Sequence, residues 1–304
     1  MKKIKLTITI GIPAHNEEAN IGYLLDCISK QKLDDHYLLK NIYVACDGCS
    51  DNTAKVVIEK SKKDSHIKVI DDGQRLGQSG RLNQFYQNVK EDIFITFDAD
   101  TLLQNDLVVN EITKQFEDPK VGLVGGNDTP NKPRNLIEKI GAVWVLSWYR
   151  MRYNLNNGDT VHNHKGCVSA GRISFLKKLN IPKEVFANDD YLYFSCKKLG
   201  FKFNFAEKAV VYYRIPSTFN EYMTQTTRFL SLKHRIADHL GNWVYDEYRV
   251  PLKNKLYGLI STFLSHPILM SLGIILQVFQ RLAKGYYAEK YSGVSWKEIK
   301  SSKK

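Results

Sequence analysis

Cysteine is scarce in this 304-residue chain: five residues, an odd number. That count excludes a disulfide framework in the usual sense and favours a reducing compartment. The first residues, Met-Lys-Lys-Ile-Lys, lead into Leu-Thr-Ile-Thr-Ile with no long apolar stretch and no cleavage site. They read as a first strand rather than a signal peptide. There is no internal repeat and no low-complexity linker. No helix-turn-helix, zinc-finger or RNA-binding signature accompanies the basic charge, which argues against a nucleic-acid-binding module. No G-x-G-x-x-G follows the first strand, which argues against a nicotinamide enzyme. Cys46 and Cys49 have C-x-x-C spacing, but no second ligand pair follows, so they read as part of a turn rather than a zinc or redox centre. His162 and His164 likewise lack a partner cluster and read as a loop pair.

What is present is ordinary in hydrophobicity, at 43%, and unusual in charge, at +12. Such an excess suits an anionic partner: nucleic acid, an acidic membrane surface or a phosphorylated substrate. Residues 6–125 alternate two patterns. Short apolar β-branched runs at 6–12, 41–46, 66–70 and 93–97 read as strands. Residues 20–31, 53–62 and 80–90 read as helices, the first with Ile21, Leu24, Leu25 and Ile28 on one face. This rhythm predicts a Rossmann-like α/β fold with a mostly parallel central sheet. Residues 126–215 are less periodic, with helices expected near 134–153 and 188–199 and a stop at Gly200. Residues 218–240 read as one amphipathic helix.

The run Ile93-Phe94-Ile95-Thr96-Phe97 ends in Asp98-Ala99-Asp100. Residues i and i+2 of an extended chain point to one side, so both carboxylates project from the strand's C-terminal end. In open α/β sheets that edge is where ligands bind. Paired carboxylates suit Mg²⁺ or Mn²⁺, and such ions usually also hold substrate phosphates.

Three further segments fall where a strand gives way to a loop: Pro13-Ala14-His15-Asn16-Glu17, Asp47-Gly48-Cys49-Ser50-Asp51 and Gly77-Gln78-Ser79-Gly80-Arg81-Leu82-Asn83. In this order, with Asp98-Ala99-Asp100, they resemble the motifs of the family 2 glycosyltransferases, inverting enzymes with a Rossmann-like nucleotide-diphospho-sugar fold. Gly166-Cys167-Val168-Ser169-Ala170-Gly171-Arg172, Asn188-Asp189-Asp190 and Gln225-Thr226-Thr227-Arg228-Phe229 continue the resemblance to about residue 230. It implies a nucleotide site from Pro13, Ala14, Asn16, Glu17, Asp47, Gly77, Arg81 and Asp98. It implies a metal, Mn²⁺ or Mg²⁺, on Asp98 and Asp100. Asp189 is the implied catalytic base, with Asp190 the runner-up. Gly171 and Arg172 line the sugar and acceptor, and Gln225, Arg228 and Phe229 close over the diphosphate. Three positions depart from the pattern: Gln78 stands for the usual Lys, Asn188 for Glu and Phe229 for Trp.

The implied function is transfer of a sugar from a nucleoside-diphosphate sugar, a UDP-sugar the expected class, to a glycan or lipid-linked hydroxyl. Full forms of the last motif are typical of membrane polysaccharide synthases. A catalytically inactive sugar-nucleotide-binding scaffold is the main alternative, and a basic nucleic-acid-binding protein the lesser one. Residues 1–240 are expected to form the catalytic domain, split at 125/126 into nucleotide and acceptor halves. Residues 241–304 are expected to form a membrane-associated helical segment. Within it, 256–280 carry no Asp, Glu, Lys or Arg. Pro267 interrupts that stretch and cations flank it on both sides, which favours two short helices in one leaflet over a single span. The expected place is the cytoplasmic face of the cell membrane, against its anionic surface.

Overall fold

The computed structural model of the chain describes residues 5–230 and 233–282, and their side chains apart from those of 228–230 and 233–235. Eight strands share one sheet: β1 (Leu6–Ala14), β2 (Tyr37–Cys46), β3 (Ile67–Ile70), β4 (Ile93–Phe97), β5 (Leu102–Leu103), β6 (Val121–Pro130), β7 (Val168–Arg172) and β8 (Lys202–Tyr213). Their order is β3-β2-β1-β4-β7-β6-β8-β5. β3, β2, β1 and β4 run parallel. β7 enters antiparallel to β4, with Val168 opposite Phe97 and Arg172 opposite Ile93. The chain leaves β1 toward β2 on one side and reaches β4 on the other. The crevice beyond the ends of β1 and β4 is therefore a topological switch point, where α/β sheets bind ligands.

The helices are α1 (Ile21–Ser29), α2 (Thr53–Ser61), α3 (Gly77–Asn88), α4 (Val108–Thr113), α5 (Leu136–Arg152), α6 (Ile173–Leu176), α7 (Asn188–Lys198), α8 (Phe219–Leu230), α9 (Lys233–Leu240), α10 (Val244–Glu247), α11 (Leu252–Ser265) and α12 (Pro267–Leu282). In β1, Ile8, Ile10 and Ile12 alternate into the core and meet the apolar face of α1, Ile21, Leu24, Leu25 and Ile28. α3 begins at Gly77, three residues before the expected start, so the Gln78-Ser79 segment belongs to its first turn. α7 stops where expected: Gly200 follows with φ +76°, a left-handed value that a side chain would strain. The amphipathic run expected at 218–240 is described as α8 and α9, with residues 231 and 232 outside the described residues.

By packing, the described chain divides into two units. One holds residues up to 129 together with 164–213, and so carries the sheet but for Pro130 at the end of β6. The other holds 130–163 and the residues from 214 on, and so carries α5 and α8–α12. In this second unit α11 and α12 pack on α5. A Cβ on Gly258 would lie 2.4 Å from Met151 and 2.7 Å from the Ser147 oxygen, so only glycine lets α11 approach α5 this closely. Pro267 opens α12 after a break at His266 (φ −143°), which divides the apolar stretch 256–280 between two helices. No helix among the described residues is long and apolar enough to cross a membrane.

Candidate active site

The loops after β1 and β2 are latched to each other. The Asn16 side-chain oxygen accepts from the Ser50 N–H at 2.8 Å. The Glu18 carboxylate accepts from the Asn52 N–H at 2.8 Å. The Glu17 N–H donates to the Thr53 hydroxyl at 2.7 Å. Asn16 itself is left-handed (φ 54°), which Asn tolerates better than most residues. Pro13 and Ala14 are the last pairing residues of β1, opposite Ala45 and Cys46.

Asp47 points inward. Its carboxylate accepts from the Leu76 N–H (2.7 Å), the Gly77 N–H (3.0 Å) and Arg81 Nε (3.1 Å). Arg81 is fully buried, and its other nitrogens hold Asp72, Gln84 and the main-chain oxygens of Cys46 and Gln74. Asp47 and Arg81 thus fasten the end of β2 to the start of α3 and set the shape of the loops at this edge from behind. Between those loops sits the C-x-x-C pair. Both thiols are free. The Cys49 thiol is drawn down to about 7, chiefly by a hydrogen bond from Cys46 and despite burial.

At the end of β4 the acids converge. Burial, and then the negative charges of Asp100, Asp189, Asp128 and Glu17, push the Asp98 carboxyl well above the usual carboxylate range. Gln78 donates to Asp98 at 3.1 Å and accepts from Asn188 at 3.3 Å. The Ser79 hydroxyl lies 2.6 Å from the Asn188 side-chain oxygen. Two of the positions that depart from the family pattern, Gln78 and Asn188, therefore bond to each other. They tie the first turns of α3 and α7 to Asp98. Asp189 and Asp190 sit in the first turn of α7, where the helix dipole favours negative charge.

Among the described residues, no group of three or more His, Cys, Asp or Glu is set to hold a metal ion unaided. The donor set nevertheless suits a hard divalent cation. It would relieve the repulsion between Asp98 and Asp100 and take further oxygens from phosphate and water, as Mg²⁺ does.

Two residues of this edge were not read from the sequence as site residues. Asp128, near the end of β6, is 6% exposed and pairs with Lys165 at 3.4 Å. His164 is 1% exposed and bonds the Asp189 main-chain oxygen and the Ser169 hydroxyl, both at 2.7 Å. Of the segment 166–172, the structure brings Gly166 and Cys167 to Asp98. A Cβ on Gly166 would lie 3.6 Å from the Asp98 carboxylate, and the Asp98 N–H donates to the Cys167 oxygen. Gly171 and Arg172 are not brought there. They pair with Phe94 and Ile93 toward the start of β4, and Arg172 donates to the oxygens of Phe116, Asp118 and Val121. Gln225, Arg228 and Phe229 lie on α8 in the second unit, and the side chains of the last two fall outside those described.

The model of the glycosyl transferase family 2 matches residues 9–179, more than half of the chain. The chain belongs to that family. Within it, the poly-β-1,6-N-acetyl-D-glucosamine synthase of Staphylococcus aureus is 23% identical over 235 residues, 75% of this chain and 55% of that protein. The chain thus spans about half the length of the curated relatives it matches. A mannosyltransferase from Pyrobaculum calidifontis, solved with GDP-Man and Mn²⁺, shares the fold with a TM-score of 0.59. Identity is 17%, over 94% of this chain and 81% of that one. The glucosyl-3-phosphoglycerate synthase of Mycobacterium tuberculosis, solved with Mn²⁺, UDP and glucosyl-3-phosphoglycerate, gives a TM-score of 0.51. Identity is again 17%, over 77% and 80%. The likeness to these two structures is one of fold: α/β, with the Rossmann-like sheet described above.

Proposed function

We propose that the chain transfers a sugar from a nucleoside diphosphate to a hydroxyl of a glycan or lipid-linked acceptor, with inversion at the anomeric carbon. One observation carries this reading: Asp98 and Asp100 follow β4, and hydrogen bonds running from Asp98 through Gln78 to Asn188 bring the first turn of α7, with Asp189, to the same edge. Asp189 takes the acceptor's proton as its oxygen attacks the anomeric carbon. The bond from that carbon to the β-phosphate oxygen breaks, and the nucleoside diphosphate leaves with the electron pair. General-base assistance of this kind is worth about 10²–10⁴ in rate. Mn²⁺ or Mg²⁺ on Asp98 and Asp100 would supply positive charge to the leaving diphosphate. The loops carrying Pro13, Ala14, Asn16, Glu17 and Gly77 bind the nucleotide, and Asp47 and Arg81 hold those loops in shape. Gln225, Arg228 and Phe229 are assigned to the diphosphate on their motif alone. Both solved relatives named above were captured with Mn²⁺, one with GDP-Man and one with UDP, which supports the metal and the donor class. The named activity of the staphylococcal relative makes N-acetylglucosamine the first sugar to test and polysaccharide synthesis the first process. Five cysteines with no disulfide between them suit the reducing, cytoplasmic side.

The test is thermal protection of the purified chain by UDP- and GDP-sugars with Mn²⁺, followed by hydrolysis of whichever protects. Protection that vanishes with chelator is expected. Protection by no nucleotide, alongside tight binding to generic DNA, would overturn the proposal.

A further inference from the structure

α11 and α12 are built inside out. The face of α11 that packs on α5 carries Gly258 and Thr262, and the buried positions of α12 are Met270, Gly273 and Gln280. About half a turn round from each, the large apolar side chains face outward. Leu256, Ile260 and Leu264 recur every fourth residue along α11. Ile268, Ile275 and Leu282 recur every seventh along α12. Leu264 and Ile268, on either side of the break, are each 76% exposed, and Leu282 is 82% exposed. A water-facing helix places such residues inward. Apart from Met270 and the half-buried Leu259, small and polar residues face inward and bulky apolar ones outward, which is the arrangement of helices surrounded by lipid.

Charge indicates which lipid. From residue 248 to residue 288 the sequence has no Asp or Glu, while Arg249, Lys253, Lys255, Arg281 and Lys284 fall within it. Lys253, Lys255 and Arg281 are exposed at the ends of the apolar face. A second copy docked symmetrically on this face would set cations against cations with no acid from the segment to meet them. Anionic headgroups meet them directly.

We propose that the outward face of α11 and α12 lies in the surface of an anionic lipid bilayer, submerged to the depth of its apolar side chains, without crossing it. Neither helix is long enough to span, and both present their apolar side over their length. The break at His266–Pro267 places both helices within one leaflet. Docking is a property of the second unit and is independent of the transfer chemistry.

The test is co-sedimentation of the 304-residue chain with phosphatidylcholine vesicles, with and without phosphatidylglycerol, in the absence of nucleotide. Binding to the anionic vesicles is expected, weakening as salt rises. Leu264→Glu with Ile268→Glu should lower partition about tenfold or more and leave the melting temperature and nucleotide protection unchanged. Lys253→Glu with Lys255→Glu should lower it about fivefold per cation on anionic vesicles and little on neutral ones. The proposal fails if the chain binds neither vesicle. It also fails if Leu264→Glu abolishes a dimer seen by sedimentation equilibrium instead of vesicle binding, which would give the face to a second copy. Loss of nucleotide protection in wild type, with vesicle binding intact, would count against the transferase reading and not against this one.

Discussion

His164 Nδ1 donates to the main-chain oxygen of Asp189 at 2.7 Å, while its Nε2 lies 2.7 Å from the Ser169 hydroxyl. A carbonyl oxygen only accepts, so the proton is on Nδ1 and Nε2 accepts from Ser169. Burial lowers the imidazole to about 4, so the ring stays neutral at physiological pH. His164 thus holds the backbone of the proposed base from behind.

Asparagine can place its amide N–H where Nδ1–H stands, whereas alanine cannot. His164→Ala should lower kcat about tenfold or more, because a small misplacement of a base is costly. The KM for the nucleotide sugar should move little. His164→Asn should recover much of the loss. Equal loss in both variants, with KM rising in step, would assign His164 to general folding.

The same ring makes stability depend on pH. Its folded pKa, about 4, lies below the ordinary imidazole value of 6.5. The unfolded chain therefore binds a proton first as pH falls. The contribution is complete above about 6.5 and is lost between there and about 4, by roughly 3 kcal/mol at most. Urea midpoints measured across that window should fall less steeply for His164→Asn than for wild type.

Asp189→Asn should leave nucleotide-diphosphate affinity nearly unchanged and cut kcat by about 10² or more. If Asp190→Asn shows that loss and Asp189→Asn does not, the second acid of the pair is the base.

Asp100→Asn should abolish turnover and weaken nucleotide binding only when Mn²⁺ or Mg²⁺ is present. Titration calorimetry with and without chelator distinguishes this from simple misfolding. Undiminished wild-type turnover in excess chelator would count against the metal assignment.

Arg81→Ala should destabilise the fold by about 3 kcal/mol or more, because it takes from the buried Asp47 carboxylate its nearer guanidinium and leaves only the half-exposed Arg75 at 3.8 Å. Denaturant unfolding measures this. Arg81→Lys should cost less, yet a single ammonium cannot reproduce a fork that holds Asp47, Asp72 and two main-chain oxygens.

The parallel half of the fold was legible because its strands contain short apolar runs bounded by turn residues, although β2 begins at Tyr37, four residues before its expected start. β4 has the ends expected of it. β6, β7 and β8 were not legible. Gly122, Gly125 and Gly126 dilute the apolar pattern of β6, and Gly171 does the same in β7. Asp128 and His164 were hidden for a related reason. Their surroundings are assembled by antiparallel pairings between segments far apart in sequence, which no local spacing announces. His164 read as half of a loop pair with His162. In the fold the two part company: His162 Nε2 contacts the Tyr248 oxygen within the second unit, while His164 lies buried behind Asp189.

Because β7 runs against β4, the polypeptide arrives at the Asp98 edge along residues 164–167 and departs from the opposite edge at Arg172. The tolerance of the chain to changes in length is therefore lopsided. An extra residue between Gly166 and Val168 would slide the whole strand against β4 and turn its inward side chains outward. The turn around residues 177–180, which follows α6 beyond the far end of β7, has no such register to keep. Lengthening would be absorbed there without disturbing the acids.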